Sequence, residues 1–586
     1  MMLAVVSVFT LKAQNQLFVE VEVPGTLEQT VFQISDSAKY STESLKIVGP
    51  LNGVDMMFVR DMCGVKGLNT PTEGKVTSLD LSDVEIYSSD DVYMSFYGTS
   101  FTTQDDVFGA GFLYNCRNLQ ELLLPFSITE IDTLALASCR SLREIEIPFT
   151  VTSIGYGAFV GCDNIQSINV PNSVVNLEVG AFQQMLGLEE ISLGNGIETI
   201  DNSLLMGDES LRVIHFGDGL QKVDPVVFYT LPALEEINVV DGNLQFCSVD
   251  GVLFTASMDT LVSYPRASLL VDYDVDPRVR HIGKFAFYNA DAINSVTMPE
   301  SLEAIDSVAF MGCRSLSVVN LNPTLKRIAF GAFGANLGDE QALQELVIPA
   351  SVEIIEPGAF LFNTIFGLQV DGDNPYFAAD EQGALYDKQM TKLICVPAMA
   401  GEFSIPETVK QIGDYAYAGF FGHPVVYLPD YVEAVGDNVF AYAFGVEQIT
   451  FGKGVSSIGN AVVEGCESLQ KVYFFPTQID DDNIAPLAFL DETGGVIEQC
   501  TLYVQPGTSE YYLLKKGFYA GEYESFLFAD IQEMEDPDAV KEMVNSTDNL
   551  VEVYDVMGRK SPSIQPGLNI FRYKDGKTVK KIFKRD

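Results

Sequence analysis

The chain has 586 residues, 47% of them apolar, and a formal charge of −46 from 81 acidic against 35 basic residues. The apolar content excludes disorder over most of the length, and the length exceeds what one compact core serves. The acidic balance repels phosphate backbones and anionic lipid, which excludes nucleic acid as a partner and keeps a long exposed protein apart from its own copies.

Residues 1–13 read as a secretory signal peptide: a short apolar run from Met1 to Phe9, then Leu11-Lys12-Ala13-Gln14, with Ala13 just before the cut. The basic leader that normally precedes such a run is missing, which points to a start further upstream. No later window holds the roughly 18 uninterrupted apolar residues of a membrane span, so no membrane insertion is expected after cleavage. Residues 14–110 lack any short period. Ser44-Leu45-Lys46-Ile47, Leu51 to Met56 and Leu79-Asp80-Leu81-Ser82 are expected to form an amino-terminal cap, because a first repeat without one exposes its apolar end.

From residue 118 the chain aligns in blocks of 23. Leu142, Ile145 and Ile147 alternate with Glu146 before Pro148, and Val151, Ile154-Gly155, Ala158-Phe159 and Cys162 follow. The next block repeats this with Ile165, Ile168, Val170-Pro171, Val174, Leu177 and Ala181-Phe182. About fifteen such units are expected, counting irregular ones. The alternation predicts a short strand with Ile145 and Ile147 inward and Glu146 outward. Pro148 has no amide hydrogen and ends the ladder. Phe159, Phe182, Phe228, Phe287, Phe310, Phe333, Phe360 and Phe440 are expected to form a continuous aromatic spine. Stacking then joins the strands into one parallel sheet.

Residues 242–274 and 371–404 are longer, and each reads as a hairpin inserted between repeat strands. Asp250-Gly251 supplies a turn in the first and Gln382-Gly383 a weaker one in the second. The repeated Leu-x-x-Ile-x-Ile-Pro-x-x-Val-x-x-Ile-Gly-x-x-Ala-Phe-x-x-Cys block resembles the BspA-like leucine-rich repeats of Bacteroidetes surface proteins. It departs from the commoner leucine-rich pattern in having no Asn ladder after the strand. The resemblance implies an α/β or mainly-β repeat solenoid, a curved leucine-rich stack over residues 111–532, and adhesion to host or neighbouring-cell macromolecules.

Residues 533–549 read as an acidic, Pro-containing linker. In 550–586, Val551 to Arg559 and Gln565 to Ile570 precede a basic end, a pattern similar to the sorting domain read by the type IX secretion system. Alternation alone predicts only a small strand-rich appendage there.

Among the nine cysteines, Cys116, Cys139, Cys162, Cys313 and Cys466 share one repeat slot and are expected to pack as a buried ladder, since stacked equivalents point in parallel and suit a disulfide badly. Cys63, Cys247, Cys395 and Cys500 are undecided. Ser192, His215 and Asn238 fall on successive strands. No buried carboxylate is placed to orient the imidazole and no oxyanion site is evident, so a surface polar ladder is favoured over catalysis. Asp480-Asp481-Asp482 lacks the spaced loop of a calcium site and reads as a solvated turn.

The outward column runs Leu123, Glu146, Asn169, Ser192, His215, Asn238, Asp274, Thr297, Asn320, Val347, Gln369, Ser404, Tyr427, Thr450, Tyr473 and Tyr503. Its late tyrosines suit protein or sugar surfaces; the alternative is cross-strand packing that stabilises the end of the sheet. Tyr427, Tyr473, Tyr503, His215, Asn238 and Asp274 are the expected ligand contacts. The expected protein is exported to the cell surface or medium, is not an enzyme, has no catalytic residues, metal or cofactor, and binds an extracellular protein or glycan. Glycan capture for a polysaccharide-uptake system is the second reading.

Overall fold

The computed structural model describes residues 15–534, apart from positions 97, 337–342, 344, 364, 366, 402, 478–480, 490–496, 514–517 and 521–524, and the backbone of four strands between 550 and 583. The signal-peptide segment and most of the 533–549 linker lie outside these residues. The chain divides into two compact units, residues 1–365 with 370–375, and residues 366–369 with 376–586.

The first unit begins with parallel strands Gln16–Glu20, Ser44–Leu51, Ser78–Ile86 and Glu121–Leu123, paired in that order. Helix Gly53–Met62 packs beside them. Its start is fixed by a reciprocal cap: the Asn52 side chain accepts the Val54 amide at 3.0 Å, and Asp55 accepts the Asn52 amide at 3.0 Å. Arg60 near its end is buried and donates to the carbonyls of Phe112 at 2.7 Å and Gly111 at 2.9 Å. A guanidinium carries five donors in a fixed fork, so one side chain ties the helix to the first repeat turn.

The 23-residue period appears directly in strand register. Ser167–Asn169, Glu190–Leu193, Val213–Phe216 and Glu236–Val239 pair in parallel, with Ile168 opposite Ile191, then Ile214, then Ile237. A second sheet uses the Ile154-type segment, pairing Ile131 with Ile154 and Ile154 with Leu177. Ile145 and Ile168 belong to one hydrophobic core. Residues 142–147 are an exception. Ile145 and Ile147 point inward and Glu146 outward as expected, but no ladder forms there, so the predicted single sheet is broken between Glu121–Leu123 and Ser167–Asn169. Apolar burial holds this segment in place without the strand bonding.

The aromatic spine is also interrupted. Phe159 and Phe182 stack with centroids 5.3 Å apart, and Phe287, Phe310, Phe333 and Phe360 form a second run. Leu205 fills the slot between Phe182 and Phe228, and Phe228 turns its ring edge to Phe216. Behind the spine most repeats hold two left-handed positions four residues apart, as at Gly157 and Gly161. Glycine suits both, yet Leu134, Phe285 and Val308 occupy the first in other repeats, where stacking overrides the local cost.

Strands Phe246–Val249 and Val252–Thr255 run antiparallel around Asp250 and Gly251, whose φ values are +50° and +78°. Thr260–Ser263 then pairs in parallel with His281–Ile282. The first insert thus extends the second sheet, and the first sheet restarts at Asp272–Asp274. Isolated asparagine rungs exist despite the sequence showing no ladder. Asn243 donates to the carbonyls of Gly217 and Leu220, and Asn374 to those of Pro349 and Val352.

In the second unit, Phe377–Ala379, Leu385–Asp387 and Lys392–Cys395 form an antiparallel set that leads into Gln411–Ile412. The other sheet aligns Val425–Leu428, Gln448–Phe451, Lys471–Phe474, Ile497–Val504 and Phe528–Glu533 in parallel. Tyr417 takes the spine position and meets Phe440 at 5.1 Å. Near the carboxy terminus Leu550–Tyr554, Lys560–Ser561, Gly567–Tyr573 and Thr578–Phe583 make an antiparallel sheet.

Candidate functional site

In the first unit an open groove of about 730 Å³ lies where the first sheet resumes after the unpaired 142–147 segment. Asn169, Ser192 and His215 line it from the strands, and Phe149, Asn172 and Asn195 from the turns that follow them. Phe149 is 78% exposed, because Pro148 ends its segment and turns the ring out to solvent. Asn172 accepts the Asn195 amide at 2.9 Å one repeat on, which fixes the turn while its carboxamide nitrogen stays free of that bond.

The polar ladder forms in the expected order: Asn169, Ser192, His215 and Asn238 are direct strand neighbours. The side chains take different partners from those a catalytic set needs. His215 Nε2 lies 3.1 Å from Glu190 Oε1, and Asn238 donates to Glu236 at 3.2 Å. The imidazole and its carboxylate are 39% and 53% exposed, so this is a solvated pair and the Ser192 hydroxyl is not its target. The groove therefore offers apolar surface beside amide, hydroxyl and imidazole groups, with the Glu190 carboxylate next to the imidazole.

This 23-residue unit, with its Ala-Phe-x-x-Cys turn and paired parallel sheets, is matched in six copies by the family described as the BspA type leucine rich repeat region, within residues 106–240, 268–369 and 399–490. The chain belongs to that family. The BspA-type chain also resembles several solved structures. With the pneumococcal vaccine antigen PcpA it shares 15% identity at a TM-score of 0.36, over 80% of this chain and 87% of that one. A leucine-rich repeat protein from Eubacterium ventriosum gives 16% identity and 0.37, over 62% and 86%. One from Bacteroides ovatus gives 19% and 0.30, over 68% and 79%. No curated protein matches the sequence.

The other expected contacts of the BspA-type chain lie elsewhere. Asp274 is exposed on Asp272–Asp274, opposite Thr297. Tyr427, Thr450, Tyr473 and Tyr503 do follow one another across the second unit's sheet. The expectation that this column faces solvent is corrected at Thr450 and Tyr473, while Tyr427 and Tyr503 are half-buried. Thr450 is 1% and Tyr473 6% exposed, and Tyr473 stacks on Tyr503 at 4.6 Å beside Phe475, with Met534 packed on the group. The outward direction was right, but further apolar side chains cover it. Among the described residues no group of three or more His, Cys, Asp or Glu side chains is arranged to hold a metal. Asp481 and Asp482 lie in a short 3-10 turn, and Asp480 is outside the described residues.

Two features were missed from sequence. Phe149, Asn172 and Asn195 stand just past the strand ends, at the 23-residue spacing, and a search confined to strand positions overlooks them. Asp208 occupies the slot that Cys162 fills two repeats earlier. It is fully buried, accepts only the Met185 amide at 2.7 Å, and leaves Oδ2 without a partner. Burial pushes its pKa up to about 9, against the pull of that amide.

Proposed function

We propose that this BspA-type chain is an exported, non-enzymatic binding protein whose groove around Phe149 and His215 holds macromolecules of a host or a neighbouring cell. The observation that carries the reading is the exposed Phe149 ring beside Asn169, Asn172, Ser192, Asn195 and His215 on a rigid stack of paired strands. An aromatic face ringed by groups that both donate and accept supplies contact area and orientation at small entropic cost. Export is supported by the signal-like residues 1–13 and the sorting-like residues 550–586. Among the described residues no helix is long and apolar enough to cross a membrane.

A glycan is the second reading, and one feature favours it: the polar groups beside Phe149 are mostly uncharged amides and hydroxyls, suited to sugar hydroxyls. A glycan array run beside a panel of matrix proteins separates the two. Phe149→Ala should lose at least tenfold in affinity for whatever ligand emerges, and undiminished binding by that variant would remove the groove from the function. Deleting 538–586 should abolish surface display, and unchanged display would defeat the sorting role.

A further inference from the structure

The sheet face that carries the groove holds charge of one sign. From Glu121–Leu123 to Glu236–Val239 the outward positions recur every 23 residues, and exposed carboxylates take five of them: Glu121, Glu144, Glu146, Glu190 and Glu236. No lysine or arginine stands at these outward positions. Register sets Glu190 opposite Val213 and Val213 opposite Glu236, so two carboxylates flank the His215 strand about 10 Å apart, two strand spacings. Elsewhere in the same unit acidic groups meet a neighbouring cation. Lys46 lies 3.0 Å from Asp80 and 2.8 Å from Asp83, and Arg327 lies 2.9 Å from Asp306 and 2.6 Å from Glu356. Beside this face the cations are Arg143 and Arg212, and Arg212 is taken up by Glu235 through bonds of 3.0 and 2.7 Å. Solubility asks for charge, but not for one sign gathered on one face. Along the turn edge, Phe126 and Phe149 hold one position of consecutive repeats at 60% and 78% exposure. The Thr150 hydroxyl donates to the Phe126 carbonyl at 3.0 Å and ties the two turns together.

We propose that the groove and its sheet face seat a lysine- or arginine-rich segment of another protein. The inference rests on the groove as the binding site and names its occupant. Lysine and arginine carry a charged end on an apolar stem, which matches a face with exposed aromatic rings at one edge and carboxylates across the strands. The rings also attract cations through their faces. A neutral sugar would cover the carboxylates and return no charge to them, and an acidic sugar would be repelled. The net charge of −46 draws a basic partner in from a distance, and the local carboxylates hold it in register. Such a complex weakens as salt rises, because these carboxylates are exposed and screened.

The test titrates the full chain with three probes: a synthetic peptide of repeated Lys-Ala-Gly units, its glutamate counterpart, and maltohexaose. The lysine peptide alone should bind, more weakly with each addition of sodium chloride. Replacing Glu144, Glu146, Glu190 and Glu236 together by Gln should weaken it about tenfold. Replacing Glu22, Glu73, Glu198 and Glu209 by Gln removes the same charge from exposed positions on other segments, and should change affinity less than about twofold. All eight side chains are exposed, so both variants should melt with the parent chain. Equal losses in the two variants would mean attraction by net charge alone and would overturn the proposal. Binding of maltohexaose without the lysine peptide would also overturn it, and would leave the groove standing as a glycan site. A different result marks failure of the groove itself: Phe149→Ala binding the lysine peptide undiminished would remove the seat, and this proposal with it.

Discussion

The sheet column around His215 and the one around Tyr473 occupy the same repeat position in different units, and their surroundings are opposite. The first is open and polar, with His215 and Glu190 partly solvated. The second is closed by Tyr503, Phe475 and Met534 over a buried Thr450 hydroxyl that has no hydrogen-bond partner. The repeat slot fixes which way a side chain points, but not whether water reaches it. The buried hydroxyl shows that the second face tolerates a local polar cost in exchange for aromatic packing.

The strongest way to break this contrast is Tyr473→Ala. Removing a buried aromatic should destabilise the second unit by about 3–4 kcal/mol in urea denaturation. A change of only a few tenths would mean that the column is a free surface after all.

A parallel contrast inside the first unit sets Asp208 against Cys162 in one buried slot. The folded pKa of Asp208, about 9, lies above the ordinary carboxylate value near 4, so protonation favours the folded state. Its contribution is complete below about pH 4 and is lost as pH rises through 9. Asp208→Asn should therefore stabilise the protein by up to about 4 kcal/mol near neutral pH, and the difference in melting temperature should widen from pH 4 to pH 9. A pH-independent difference would sink this account. Asp208→Cys should do likewise, since the ladder thiols bond carbonyls while neutral.

Smaller effects sharpen the open side. His215→Ala and Phe149→Ala should each change stability by less than about 0.5 kcal/mol, because both side chains are well exposed. The smallest gain is expected at Val308, whose φ of +64° strains a β-branched residue. Val308→Gly should stabilise by about 0.5 kcal/mol, the relief of strain exceeding the added freedom of glycine in the unfolded chain. Calorimetry resolves that sign.

Much of the fold was legible because its signals are periodic. Ile168, Ile191, Ile214 and Ile237 recur at one spacing, and the structure pairs them in that register. The site was legible only in part. His215 and Asn238 follow from strand alternation, whereas Phe149 and Asn195 stand in turns, where direction depends on the path of the chain after the strand. The partners of His215 were also hidden, since alternation gives a face and not a rotamer.

The sequence by itself determined the repeat, its register and the inward set, because a 23-residue hydrophobic period can be buried in few ways other than against its own copies. Tertiary structure decided what happens where the series breaks. It left residues 142–147 without a ladder, covered Tyr473, and buried Asp208 without a full set of partners. Each outcome depends on contacts between segments that share no period, and local pattern carries no information about those.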